Sequence, residues 1–239
     1  MPNQPPSPRF KIDRAKEHLA YLTRVIGEFR ERNPYRAVFN GDAQNGWATF
    51  VVHVDEDIPP MWGVIVGEVL HLCRTSLDNA WFVISGRTRR DEFPFVQDSG
   101  AFKTRFRGRE KGAIKTAVEI LTAIESYRTG NPLWTLSNLD NFNKHESPLL
   151  CSSRLRDFIV ISGAAAHPVV FLEPLEEGSI LLLPVASELD LNVEHKIPFD
   201  VTFEEVEFAN GGGVVPMLDS FVSEADKILS AFAASGLIR

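Results

Sequence analysis

The chain has 239 residues, of which 44% are hydrophobic and 24% charged, which is enough apolar sequence for one large domain or two small ones. Its formal net charge of -7 argues against general polyanion binding, although single segments can differ. The apolar runs carry too many polar residues to predict a membrane span. No secretory signal is found, and Cys73 and Cys151 are interpreted as free thiols. The sequence therefore predicts a cytoplasmic protein that contacts no membrane.

The first predicted elements are an arm, a helix and a hairpin. Residues 1–10 are rich in proline and predict a disordered arm. Apolar residues at helical spacing predict a helix over 11–32. Alternating and β-branched residues on both sides of Asn45-Gly46, a turn dipeptide, predict a β-hairpin over 35–55.

The stretch PMWGVIVGEVLHLCRTSLDNAWFVI, residues 60–84, predicts a helix that is apolar on nearly every side and therefore buried. A stripe of polar residues nevertheless follows one line along this helix at about 100° per residue. It contains Glu68, His71, Thr75 and Asp78, with Arg74 beside them. Because charged groups inside a buried helix cost free energy unless they are paired, this stripe needs partners elsewhere in the chain.

Residues 87–111 carry eight basic and four acidic side chains, a local balance of +4, with phenylalanines between them. One interpretation is a long loop that its phenylalanines attach to the core. The other is a segment that contacts phosphates, since cationic and aromatic side chains together suit single-stranded RNA. Arg105 and Arg107 are its candidate substrate-binding residues.

Two further helices are predicted over 113–127 and 132–146, separated by Gly130-Asn131-Pro132. The second of them carries its own polar residues. Asn138, Asn141 and His145 share one stripe, and Asp140 and Lys144 form an i, i+4 ion pair. If the two stripes meet, we expect Arg74 and Asp78 to contact Asp140, Asn141 or His145, and His71 or His145 to lie beside Asp78.

After residue 155 the pattern predicts four or five antiparallel strands, in a half with seven acidic residues and one lysine between 186 and 208. A closing helix is predicted over 216–234. The predicted fold is therefore α+β, with a bundle of about four helices and an inserted hairpin over 11–150. An antiparallel β-rich part with a C-terminal helix occupies 151–239, and the two parts pack as one unit.

Two motifs resemble known sequences. GEVLHLCRTSLDNAWF is similar to G-D-x-x-H-N-L-R-S-A-L-D-H, and PLWTLSNLDNFNKHE to P-L-W-x-L-x-x-L-D-N-x-D-K-H-R, two signatures of an uncharacterised family of bacterial proteins. The intervening EFPF resembles that family's F-P-I element. The first motif is also similar to the R-x4-H signature of the HEPN superfamily. That resemblance implies a helical bundle, a dimer and metal-independent RNA cleavage. Arg74 matches the arginine, whereas Asn79 stands in place of the histidine.

Three hypotheses of function follow. The preferred one is a non-catalytic structural or interaction module with a buried polar network between two helices. The alternatives are an HEPN-like RNA-binding protein or ribonuclease, and a metal-binding enzyme that uses the Glu68-x-x-His71 pair. The candidate catalytic residues are His71, Arg74, Asp78 and His145, and the candidate substrate-binding residues are Asp140, Asn141, Lys144, Arg105 and Arg107. No cofactor is predicted, and the candidate partners are RNA, a second copy and a protein bound by the acidic half.

Overall fold

The computed structural model describes residues 7–44, 47–86, 92–109, 111–128, 130–145, 149, 151–155, 158–162, 165–169, 175–184, 195–197, 199–204, 209 and 212–239. Within these residues the helices are α1 (Arg9–Glu31), α2 (Met61–Ile84), α3 (Ser99–Phe106), α4 (Gly112–Ile124), α5 (Pro132–His145) and α6 (Val214–Ala234). The strands are β1 (Tyr35–Gln44), β2 (Trp47–Val54), β3 (Cys151–Leu155), β4 (Phe158–Ser162), β5 (Ala165–Val169), β6 (Ile180–Pro184), β7 (His195–Lys196) and β8 (Phe199–Phe203).

The strands confirm an α+β fold with antiparallel pairing. β6, β2, β1 and β7 form a four-stranded sheet in that order, and β3 with β8 and β4 with β5 form two separate pairs. The predicted hairpin is therefore not confined to the helical part, because its strands pair with two strands of the C-terminal half. The register places Arg36 opposite Lys196 and Val51 opposite Ile180.

The helical core is built around α2, which packs against α1, α5 and α6. Aromatic side chains connect this core to the strands. The ring of Phe29 on α1 makes edge contacts with Trp62 on α2 at 5.2 Å and with Phe199 on β8 at 5.8 Å. Both cysteines are free, as expected. None of the helices in the described residues is long and apolar enough to cross a membrane.

Apart from differences of one or two residues at other helix ends, the helices depart from the prediction in three places. Residues 9–10, assigned to the disordered arm, belong to α1, and residues 1–6 lie outside the described part of the chain. Residues 99–106, assigned to a long loop, form α3, since Asp98 accepts hydrogen bonds from the first free N–H groups of this helix. The helix predicted to end at 127 stops at Ile124, because Glu125 has left-handed backbone angles with φ of 57°.

The strand predictions also need correction. β3 was not predicted, because CSSRL has little apolar character and gains its pairing only from β8. Four or five strands are predicted after residue 155, and the described residues there contain five, β4 to β8, while residues 192–194 and 205–208 lie outside the described part of the chain. The apolar run PVVFLEP, residues 168–174, predicts one of these strands; β5 covers Ala165–Val169, and residues 170–174 lie outside the described part of the chain.

Candidate functional site

Two glycines on α2 allow α5 and the chain that follows it to approach closely. A Cβ atom at Gly67 would lie 2.6 Å from Nδ2 of Asn143, and one at Gly63 would lie 2.0 Å from the main-chain oxygen of Leu149. The Asn143 side chain also accepts a hydrogen bond from the N–H of Leu149 at 3.3 Å. This close packing brings the polar stripes of α2 and α5 face to face.

The carboxylate of Asp140, on α5, lies at the centre of the contact and is 0% exposed. Three side chains that carry or can acquire a positive charge surround it. Lys144 donates a hydrogen bond to Oδ2, Nε of Arg74 lies 3.5 Å from Oδ2, and Nδ1 of His71 lies 3.3 Å from Oδ1. A buried carboxylate is tolerated only with such partners, so this group holds the two helices in register.

Arg74 connects three parts of the chain, although its side chain is only 13% exposed. Its Nη1 donates to the main-chain oxygen of Ser137 at 3.0 Å and to Oδ1 of Asn141, both on α5. Its Nε lies 3.7 Å from a carboxylate oxygen of Asp78, and its guanidinium covers the ring of Phe95 at 5.3 Å. The arginine therefore holds α5 and residues 92–98, the segment before α3, against α2.

Asp78 attaches α2 to the segment before α3, because its carboxylate accepts a hydrogen bond from the N–H of Phe93 at 3.0 Å. Burial raises the pKa of Asp78, although the Phe93 N–H and the charge of Arg74 act in the opposite direction. The charge of Asp78 also opposes the lowering of the Lys11 pKa that burial causes. Asp78 thus joins α2 to the segment before α3 through the hydrogen bond from Phe93.

The expected meeting of the two polar stripes is confirmed for Arg74, which contacts both Asp140 and Asn141. Two details were wrong. Asp78 makes its hydrogen bond to Phe93 instead of to α5, because the Phe93 amide needs an acceptor at this place. His71 lies beside Asp140 instead of Asp78. His145 is exposed and makes no hydrogen bond or ion pair with the other residues that the structure describes.

The Glu68-x-x-His71 pair does not converge on one point. Oε2 of Glu68 lies 3.6 Å from Nδ1 of His18 on α1, whereas His71 faces Asp140 on α5. Across the described residues, no group of three or more His, Cys, Asp or Glu side chains is arranged to hold a metal ion. Of the three hypotheses, the metal-binding enzyme has the least support from the geometry.

In the described part of residues 87–111 the phenylalanines attach the chain to the core, as the first of its two interpretations expects, although residues 99–106 form α3 instead of a loop. Phe93 and Phe106 are buried and pack against the ring of Trp81 at 6.0 and 5.7 Å, and Phe102 stacks on Tyr127 at 4.5 Å. These rings attach the segment to the core, so they are not free to stack on bases. The basic residues 87, 89 and 90 lie outside the described part of the chain.

Arg105 and Arg107 are exposed at the end of α3 and take no part in the polar network of α2 and α5. That network consists of His71, Arg74, Asp78, Asp140, Asn141 and Lys144. Nη2 of Arg105 donates to the main-chain oxygen of Glu92 at 2.9 Å. The proposed substrate-binding residues therefore divide into two groups. Asp140, Asn141 and Lys144 belong to the network between α2 and α5, and the two arginines belong to a separate surface.

Neither Cys73, which is buried, nor Cys151, which is partly buried, supplies a nucleophile. Burial raises the pKa of Cys73 to about 12, with a smaller contribution from the charge of Asp140. Burial likewise raises the pKa of Cys151 to about 12. Because the thiolate is the reactive form, both thiols are inert near neutral pH.

His71 lies at the solvent edge of the network, since half of its side chain is exposed. When its proton is on Nδ1, this nitrogen donates to Asp140 and Nε2 is left as an acceptor toward solvent.

The sequence predicted His71 on the correct stripe but not beside Asp140. The partners Ser137, Phe93 and Phe95 were missed as well, because the first two contribute only main-chain atoms.

Comparisons of this chain with protein-family models, with curated proteins and with solved structures find no match. The resemblance of the two motifs to an uncharacterised bacterial family, and of R-x4-H to the HEPN superfamily, stays a prediction from the sequence.

Proposed function

We propose that this protein is a non-catalytic interaction module, whose polar network fixes α5 and the segment before α3 on α2. The observation that carries the proposal is the enclosure of Arg74. Its Nε and Nη1 face acceptors of the protein itself, and Phe95 covers its guanidinium plane. An arginine that binds a substrate phosphate presents its fork of N–H groups to the ligand. Here two of its three nitrogens are committed to holding the fold together.

The residue at position 79 supports the same conclusion. Asn79 stands where the HEPN signature has its histidine, and its amide cannot exchange a proton near neutral pH. Asp140 is wholly buried and has no direct access to a substrate. A structural role therefore explains why charged side chains lie inside an otherwise apolar helix pair.

The test compares stability and RNA integrity in the same preparations. Wild-type protein and Arg74→Gln are incubated with total RNA, with and without EDTA, and both are unfolded thermally. We expect intact RNA in all samples and a lower melting temperature for Arg74→Gln, because Ser137, Asp140 and Asn141 lose their partner. RNA cleavage by wild-type protein that Arg74→Gln abolishes without any change in melting temperature would refute the proposal.

The pairing of His71 with Asp140 favours a second candidate, an HEPN-like ribonuclease in which His71 moves the proton. A buried carboxylate that orients a half-exposed imidazole is an arrangement suited to acid–base catalysis. The matched variants are His71→Asn and His145→Asn, since both histidines are exposed but only His71 faces Asp140. Metal-independent cleavage that disappears in His71→Asn alone would support this candidate, and intact RNA with wild-type protein would exclude it.

A further inference from the structure

A strongly basic surface lies outside the network, on α3, the turn after it and the first half of α4. We call it the α3–α4 surface. Between residues 99 and 115 there are six basic residues and one acidic residue, a balance of +5 in a chain whose net charge is -7. All six basic side chains are exposed: Lys103, Arg105, Arg107, Arg109, Lys111 and Lys115. Such a concentration of one charge creates a local positive potential that attracts polyanions, although the chain as a whole is acidic.

The fold holds this surface in a definite orientation. Phe102 and Phe106 are buried, so the opposite side of α3 faces solvent. Asp98 caps the helix, because its carboxylate accepts hydrogen bonds from the N–H groups of Gly100 and Ala101 at 2.7 and 2.9 Å. The nearest acidic side chain before α3 is thus already engaged in the cap. The basic residues are therefore presented by an anchored helix and turn.

The described part of the α3–α4 surface is charged but exposes no large apolar side chain. Among the described residues 92–145, no aromatic side chain is exposed, and the large exposed apolar side chains lie elsewhere. Protein interfaces are enriched in aromatic residues and arginine and poor in lysine, so a surface with three lysines and no exposed aromatic side chain fits a protein partner less well than a nucleic acid. Binding of single-stranded nucleic acid relies on aromatic side chains that stack on bases, and these are also missing from the described surface.

We propose that the α3–α4 surface binds the sugar–phosphate backbone of a double-stranded nucleic acid, independently of base sequence. The inference rests on the proposed interaction module and names its partner. Interfaces with nucleic acid are more positively charged and more polar than those with protein, as this surface is.

The test measures binding of labelled RNA and DNA duplexes of mixed sequence, about 20 base pairs long, by fluorescence anisotropy at about 50 and 200 mM salt. The test variant is Lys103→Gln with Arg107→Gln. The control, Arg14→Gln with Arg24→Gln, removes the same charge from exposed arginines of α1. Each phosphate contact contributes about 0.9 to the slope of log K against log salt, so we expect the test variant to lower the slope by about 2. Its affinity at low salt falls about tenfold, while the control changes less than about twofold.

Salt-dependent binding of either duplex with this difference between the two variants supports the inference. It is overturned by absence of binding at low salt, by equal losses in both variants, or by equally tight binding of a single strand or a poly-glutamate peptide. The proposed interaction module and the proposed duplex binding can each be refuted without refuting the other. Lys103 and Arg107 lie outside the network, so their variant keeps the wild-type melting temperature whether or not the duplex binds.

Discussion

At the scale of single residues, the network is a balance between the cost of burying charge and the gain from pairing it. Asp140 is enclosed completely, whereas His71, Arg74 and Lys144 each keep part of the side chain in contact with water. The carboxylate is therefore the member that depends most on the others. Removing it leaves cationic groups facing a site without compensating charge, which is the costly way to break a buried pair.

Replacing Asp140 with Asn keeps the size of the side chain but removes its charge. We expect the free energy of unfolding to fall by about 3 kcal/mol, because Arg74 and Lys144 lose their counter-ion. Urea denaturation measures this directly. The control is Glu28→Gln, which breaks the exposed pair with Arg24 and is expected to cost less than about 0.5 kcal/mol. Equal losses in the two variants would contradict a structural role for Asp140.

Asp78 gives the stability a defined dependence on pH. Its pKa in the folded protein is raised by burial, so between the unfolded value of about 3.9 and the folded value the folded state binds more protons. The contribution of Asp78 to stability is therefore largest at low pH and falls as pH rises through this window. We expect the stability of wild type relative to Asp78→Asn to decrease from about pH 4 upward. A series of urea denaturations at different pH checks this, and a constant difference between the two proteins would contradict it.

At the scale of elements, α2 is the helix on which the others are assembled. Its polar stripe faces α5 and the segment before α3, and its small residues let α5 and the chain after it come near. The glycines at 63 and 67 weaken α2 as an isolated helix, since glycine is a poor helix former. Their cost is offset by the contacts with Asn143 and Leu149 that only a residue without Cβ allows.

Gly63→Ala separates this packing role from helix propensity. The new Cβ would lie 2.0 Å from the oxygen of Leu149, so we expect a loss of about 3 kcal/mol in spite of the better helix former. The matched control is Gly27→Ala in α1, where a Cβ would meet nothing within 4 Å. That variant is expected to gain about 0.5–1 kcal/mol. Thermal unfolding of the two variants measures the difference in stability between them. If Gly63→Ala were more stable than wild type, α2 and Leu149 would be farther apart than the structure places them.

At the scale of the whole molecule, the N-terminal and C-terminal halves of the sequence are interleaved. β6 and β7 complete a sheet that begins with β2 and β1, and α6 packs on α1, α2 and α5. Asp226 on α6 pairs with both Arg9 and Lys16 on α1, at 3.2 and 2.8 Å. These contacts join the two ends of the chain, while the packing of residues 11–150 and 151–239 as one unit stays a prediction.

Phe232→Ala tests that unity, because Phe232 on α6 is fully buried. We expect a loss of about 4 kcal/mol from the cavity and the lost burial. If the chain unfolds as one unit, far-UV circular dichroism and tryptophan fluorescence, which reports on Trp47, Trp62, Trp81 and Trp134, shift together. Ser223→Ala on the exposed side of α6 is the control and is expected to change little. If Phe232→Ala shifts the circular dichroism transition but leaves the fluorescence transition at its wild-type position, α6 unfolds by itself.

The sequence by itself determined the α+β class, the positions of α1, α2, α5 and α6, and the two polar stripes. These features depend on local periodicity and on turn residues, which are visible in neighbouring positions. The contact between Arg74 and Asp140 could also be inferred, because buried charges must find partners.

Only the tertiary structure decided which partners meet. The acceptor at Ser137 and the donor at Phe93 are main-chain atoms, which any residue type would supply, so the sequence carries no sign of them. The pairing of His71 with Asp140 depends on how α2 and α5 are rotated about their axes, and that rotation is set by Gly63 and Gly67 against the chain opposite. Strand β3 likewise forms because β8 lies beside it, since pairing between distant segments is a property of the assembled fold.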